Sequence, residues 1–162
     1  MRKIPWVLIA LLCLKASLLV GQTPFFQRYH PLKKNYPVAV QALFQDTRGF
    51  LWLGTNKGLF RFDGTDFRQY TTQDSLPDDD ITALAEDSLG RIWIGHGTGM
   101  VSYIDRGTIH IFETREGPAV APISDIVFDR HGTMWFSTRD DGLYYFTGDR
   151  LYRVDEAEGL PD

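Results

Sequence analysis

Asp46, Gly49 and Trp52 recur as Asp87, Gly90 and Trp93, and again as Asp129, Gly132 and Trp135. The tryptophans stand 41 and then 42 residues apart, and the flanking text repeats with them as FQDTRGFLWLGTNKGLF, AEDSLGRIWIGHGTGMV and FDRHGTMWFSTRDDGLY. A period of about 40 residues, rich in aromatics and glycine, is that of propeller blades. Helical repeats of similar length need long stretches at 3.6-residue spacing, and the chain has none. The expected class is therefore all-β, with blades of four antiparallel strands.

In the second repeat, residues 81–87 predict a first strand, 88–90 a turn and 91–95 a second strand around Trp93. A glycine loop, 96–99, leads to a third strand at 100–105, and Arg106-Gly107 turns the chain into a fourth at 108–113. Runs such as Arg-Ile-Trp-Ile and Leu-Tyr-Tyr-Phe (143–146) are nearly continuously apolar, as expected when both faces of a sheet are covered. Each recurring Asp reads as a turn residue accepting backbone N–H bonds, and each following Gly as a positive-φ position. Gly58, Gly99 and Gly142 recur in the loop between second and third strands. The three tryptophans read as large side chains filling the space between blades.

Phe26-Gln27-Arg28-Tyr29 reappears 41 residues later as Phe67-Arg68-Gln69-Tyr70, so the chain is expected to open on an outer strand that closes a far blade. Gly159-Leu160-Pro161-Asp162 resembles Ser75-Leu76-Pro77-Asp78, the lead-in to the second blade. The expected organisation is a signal peptide at 1–22, a closing strand and linker at 23–36, and blades at 37–72, 73–114 and 115–162. The last span includes the start of a link to a missing fourth blade. Three blades fall below the usual range of about four to eight, so the sequence reads as the N-terminal part of a longer protein whose C-terminal blades are its first partners. Expressed alone, such an arc should associate through its open edges.

The first 22 residues have a basic start (Arg2, Lys3), an apolar stretch from Trp6 to Val20 and a small residue, Gly21, as in a secretory signal. Without Arg2, Lys3 and Lys15 the remainder carries 14 basic against 21 acidic residues, about −7. That balance disfavours nucleic acid and anionic lipid. Cys13, the only cysteine, would leave with the signal, so the core must come from packing between blades. Export to a bacterial periplasm fits this composition.

Chemistry is sparse. Gly95-His96-Gly97-Thr98-Gly99 has the look of a phosphate loop, yet a strand follows it instead of a helix, so it reads as a flexible link facing solvent. On that reading His96→Ala should cost little. Asp78-Asp79-Asp80 and Asp140-Asp141 could hold calcium, but solvated loop acids are the commoner case. His30, His96, His110 and His131 form no metal-ligand spacing, and neither a metal nor a cofactor is expected. Asp80 and Asp125 both lie near the starts of inner strands but at different repeat positions, which leaves a glycosidase-type carboxylate pair open. In a four-stranded meander the loops between second and third strands share a face with the links between blades. That face would display Asn56, Lys57, His96, Arg139, Asp140 and Asp141, polar variation that a binding rim would show and that surface loops also show without function.

The repeated text D-x-x-G-x-x-W-x-G-T-x-x-G-L, best seen in Asp46-Thr47-Arg48-Gly49-Phe50-Leu51-Trp52-Leu53-Gly54-Thr55-Asn56-Lys57-Gly58-Leu59, resembles the two-component regulator propeller repeat. The second copy departs at His96 (for Thr55) and Met100 (for Leu59), and the third has Ser137 for Gly54 and one extra loop residue. The resemblance implies an extracytoplasmic sensor propeller of a bacterial histidine kinase, often a hybrid one. It further implies an inner-membrane anchor, an oligosaccharide signal and a homodimeric parent. No kinase motif is present, so this chain is expected to be the receiver end and not an enzyme. The alternatives are a scaffold propeller without signalling output and part of a carbohydrate-active enzyme.

Overall fold

The computed structural model describes residues 38–115, 117, 119, 121–147 and 150–154. The expected signal segment at 1–22, closing strand at 23–36 and fourth-blade lead-in at 159–162 lie outside the described residues. Those described form three four-stranded antiparallel meanders. The first holds β1 (Val40–Gln45), β2 (Leu51–Thr55), β3 (Gly58–Phe62) and β4 (Phe67–Tyr70); the second β5 (Ile81–Glu86), β6 (Ile92–His96), β7 (Val101–Asp105) and β8 (Thr108–Phe112). The third holds β9 (Ile123–Phe128), β10 (Met134–Thr138), β11 (Gly142–Thr147) and β12 (Arg150–Val154). The all-β propeller-blade class is the observed one.

The recurring Asp and Gly build the turn between first and second strands. Gly49, Gly90 and Gly132 take φ of +88°, +75° and +82° and donate their N–H to the carbonyls of Asp46, Asp87 and Asp129. In each turn one carboxylate oxygen accepts two backbone N–H groups, those of Arg48 and Phe50, Leu89 and Arg91, or His131 and Thr133. The other oxygen accepts the indole N–H of Trp52, Trp93 or Trp135 at 2.9, 2.9 and 3.2 Å. One Asp thus fixes the turn and satisfies the polar atom of the tryptophan it helps to bury.

Each sheet packs its forward face on the next. Trp52, Tyr70, Ala42 and Phe44 meet Ile81, Leu84, Ile92 and Ile94, while Trp93, Ala83, Ala85 and Phe112 meet Ile123, Ile126, Met134 and Phe136. Close approach near the first strands requires glycine. A Cβ on Gly54 would lie 2.8 Å from Ile81 Cγ2, and one on Gly95 2.6 Å from Ile123 Cγ2. Gly95 is therefore a strand residue inside a joint and not part of a flexible link. In the third sheet Asp125 and Ser137 stand where the others have Ala and Gly.

Exposure follows the joints. Leu43 is 67% exposed on the rear of the first sheet, whereas Leu84 and Ile126 at the equivalent position are 8% and 3% exposed against a preceding sheet. Trp135 holds the same repeat position but is half-buried, because no described sheet covers the forward face of the third. Register supplies a correction. Gly54 pairs with Leu59, Gly95 with Val101 and Ser137 with Leu143, so Val101 and not Met100 takes the place of Leu59, and the second loop, like the third, has one extra residue.

Candidate functional site

The loops between second and third strands lie beside the links that enter each sheet. The N–H groups of Asn56, Gly97 and Arg139 bond to the carbonyls of Ala39, Asp80 and Pro122, extending each inner ladder by one rung, and Gly58 N–H reaches Asp79 of the following link at 2.7 Å. The expected sharing of one face by loops and links is observed.

A buried side chain anchors each loop. Thr55 Oγ1 donates to the Gly58 carbonyl at 2.7 Å and accepts the Lys57 N–H at 3.0 Å; Thr138 does the same with Gly142 and Asp141. His96 holds this position in the second sheet and is fully buried, which overturns its reading as a solvent-facing rim residue. Its Nδ1 lies 3.0 Å from the Asp78 carbonyl and its Nε2 2.8 Å from Ser102 Oγ. A carbonyl only accepts, so Nδ1 carries the proton and Nε2 accepts from the Ser102 hydroxyl. Ser102, also fully buried, stands opposite Ile94 where Phe60 and Tyr144 stand in the other sheets, and its small side chain leaves the volume that the imidazole fills. The imidazole thereby ties the link at Asp78 to the core of its sheet.

Burial pushes the His96 pKa down to about 4, outweighing the nearby carboxylates of Asp78, Asp80 and Asp79, which act to raise it. Between pH 4 and the unfolded value of 6.5 the unfolded chain then binds more protons than the folded one. Stability is expected to fall as pH drops from about 6.5 to 4 and to level off below, losing about 3 kcal/mol across that window from this group. Urea titrations at a series of pH values check this; His96→Thr should flatten the slope, and a slope unchanged in that variant would contradict the assignment.

The remaining rim residues behave differently from one another. Asn56, Lys57, Arg139 and Asp140 are exposed. Asn56 uses its side-chain oxygen to accept the Ala39 N–H at 3.2 Å, and the Lys57 carbonyl accepts from Gln69 at 2.8 Å, leaving the ammonium on the surface. Asp141 turns inward, accepting the Tyr144 hydroxyl and pairing with Arg153 at 3.3 Å. Burial together with Asp141 pushes the Tyr144 pKa up to about 12. Asn56 and Lys57 belong to the first sheet and Arg139 to Asp141 to the third, so one face presents them on separate sheets. The acidic link also has internal work: Asp79 accepts the Thr72 N–H at 2.7 Å, Asp78 that of Asp80 at 3.2 Å, and Asp80 the Gln41 amide. Among the described residues no three His, Cys, Asp or Glu side chains converge as metal ligands. Asp80 lies in the link before β5 and Asp125 within β9, exposed on the open face of the third sheet.

Residues 37–57 and 75–98 match the family described as the two component regulator propeller. A histidine kinase P4 of Formosa agariphila is 32% identical over 78 residues, covering 43% of this chain and 6% of that protein. The extracellular domain of the hybrid two component system BT3049 from B. thetaiotaomicron superposes with a TM-score of 0.70 at 29% identity, over 85% of this chain and 20% of that one. Virginiamycin B lyase from Staphylococcus aureus gives a TM-score of 0.59 at 19% identity over 70% of this chain and 40% of the lyase, a likeness of fold alone. The chain thus spans a small part of the proteins it matches.

Proposed function

This chain carries two-component regulator propeller repeats, and from that premise we propose that it supplies the first blades of an exported, ligand-sensing propeller in a bacterial two-component signalling protein. The observation that supports this most is the likeness, at 29% identity over 85% of the chain, to the extracellular domain of a hybrid two component system. The sensing region lies in the periplasm, its parent is anchored in the inner membrane and works as a homodimer, and catalysis belongs to other parts of that parent. The signal is an oligosaccharide that the loop face meets through Asn56, Lys57, Arg139, Asp140 and Asp141, with C-terminal blades of the same protein completing the ring.

Glycine-tight joints and Asp-capped tryptophans make the blades a stiff scaffold, so a ligand can act by favouring one arrangement of the whole receptor over another. A differential affinity of a few kcal/mol suffices for that. Calorimetric titration of the entire extracytoplasmic region against a glycan panel tests the reading. Lys57→Ala with Arg139→Ala is expected to weaken the glycan that binds by about tenfold or more, the loss for charged hydrogen-bond donors. Unchanged affinity in that variant would remove the ligand from the loop face.

A further inference from the structure

On the opposite face, where the tight turns lie, the second and third sheets part to leave a cleft of about 360 Å³. Its walls include Arg91, Trp93, Tyr103, Phe128, His131 and Phe146. The corresponding edge of the first joint is latched: Glu86 accepts the Thr47 N–H and hydroxyl, both at 2.8 Å, binding the second sheet to the turn of the first. Phe128 holds the place of Glu86 in the third sheet, each opposite the first residue of its second strand. A phenyl ring accepts no such bonds, and among the described residues none joins it to the turn at Ser88. The first joint has a cleft of about 330 Å³ at the equivalent place, lined by Glu86 and Asp105, so the second joint differs not in having a cleft but in carrying Phe128 and Thr147 where the first carries those two carboxylates.

The departure brings together groups that suit a particular ligand. The Arg91 guanidinium lies over Trp93 and Tyr103, 5.3 and 5.2 Å from their ring centroids, and is held by its Nε alone, 2.5 Å from Asp87 Oδ2. Asp87 is otherwise occupied by the Leu89 and Arg91 N–H groups and the Trp93 indole, so it fixes the guanidinium while the terminal amino groups donate to no described residue. His131 stands at the rim with its Nε2 accepting from Arg130 Nε at 3.2 Å, and no carboxylate lines the cleft although the chain carries a net charge of −4. Trp93 is buried and Arg91 covers Tyr103, so Phe128 and Phe146, both half-buried, are the rings that can take the C–H face of a pyranose, and a guanidinium with free terminal nitrogens takes a carboxylate in bidentate fashion.

We propose that this cleft binds a uronate residue of an acidic oligosaccharide. The assignment rests on the reading of the protein as a glycan sensor but places a contact on the turn face, away from Lys57 and Arg139. The test is calorimetry on the entire extracytoplasmic region with trigalacturonate and with its methyl ester, which keeps the rings and removes the charge. The acid is expected to bind, the ester to bind at least about tenfold more weakly, and Arg91→Gln to cause a similar loss with the acid. Phe128→Glu supplies a second variant: it puts a carboxylate in the cleft and restores the latch position, and it should abolish binding of the acid. Equal affinity for acid and ester, or binding of the acid that survives both substitutions, would overturn the proposal. Loss on Lys57→Ala with Arg139→Ala but not on Arg91→Gln would overturn the cleft and leave the sensor standing, whereas a region that binds no glycan would overturn both.

Discussion

Trp93→Ala, made in the whole extracytoplasmic region, is expected to lower stability by about 3 to 5 kcal/mol, the range for deleting a large buried aromatic. The indole is 4% exposed at the centre of the second joint, with ring centroids of Tyr103, Phe112 and Phe128 at 4.8, 5.1 and 5.6 Å. Its removal opens a cavity that rigid sheets on both sides fill poorly and deprives Asp87 of one of its donors. Urea denaturation followed by circular dichroism measures the change. A loss below about 1 kcal/mol, typical of exposed substitutions, would mean that the second and third sheets do not pack as described.

His96→Ala is expected to cost about 3 kcal/mol, because it leaves the Ser102 hydroxyl and the Asp78 carbonyl without their partner and adds a cavity. The double change His96→Thr with Ser102→Phe installs the residue types that hold these two positions in the first sheet, Thr55 and Phe60, and should recover much of the loss. The same denaturation experiment compares the three forms, and a His96→Ala protein as stable as the parent would return His96 to the surface.

The turn geometry was legible because Asp, Gly and Trp each carry a strong local preference, and three copies in phase leave little freedom in pairing them. The bond from each Asp to its Trp was not, since two residues six apart show no contact until the turn folds them together. His96 departs from its sequence reading because a polar residue between glycines reads as loop, while its surroundings are set across the sheet. A signal did exist: Ser102 stands where the other sheets have Phe60 and Tyr144, and a lost large side chain beside a gained one marks a volume exchange. The aromatic cleft was invisible for a related reason. Phe128 in place of Glu86 looks like one more core residue unless the Thr47 latch is known.

Topology alone puts Asn56, Lys57, Arg139 and Asp140 on the loop face, but the chemistry of that face is not readable from the sequence. Lys57 and Arg139 point to solvent, whereas Asp141 is drawn in by Tyr144 and Arg153, a partnership between a loop and the two strands that follow it. Stretches of alternating charge and glycine do not announce which carboxylates fold back on their own sheet.

The sensing role itself is tested most directly by the autophosphorylation rate of the intact parent protein in proteoliposomes, with and without a saturating concentration of the glycan that its extracytoplasmic region binds. A severalfold change in rate, lost on Lys57→Ala with Arg139→Ala or on Arg91→Gln, is the expected result. A rate that stays the same with the glycan bound would contradict it.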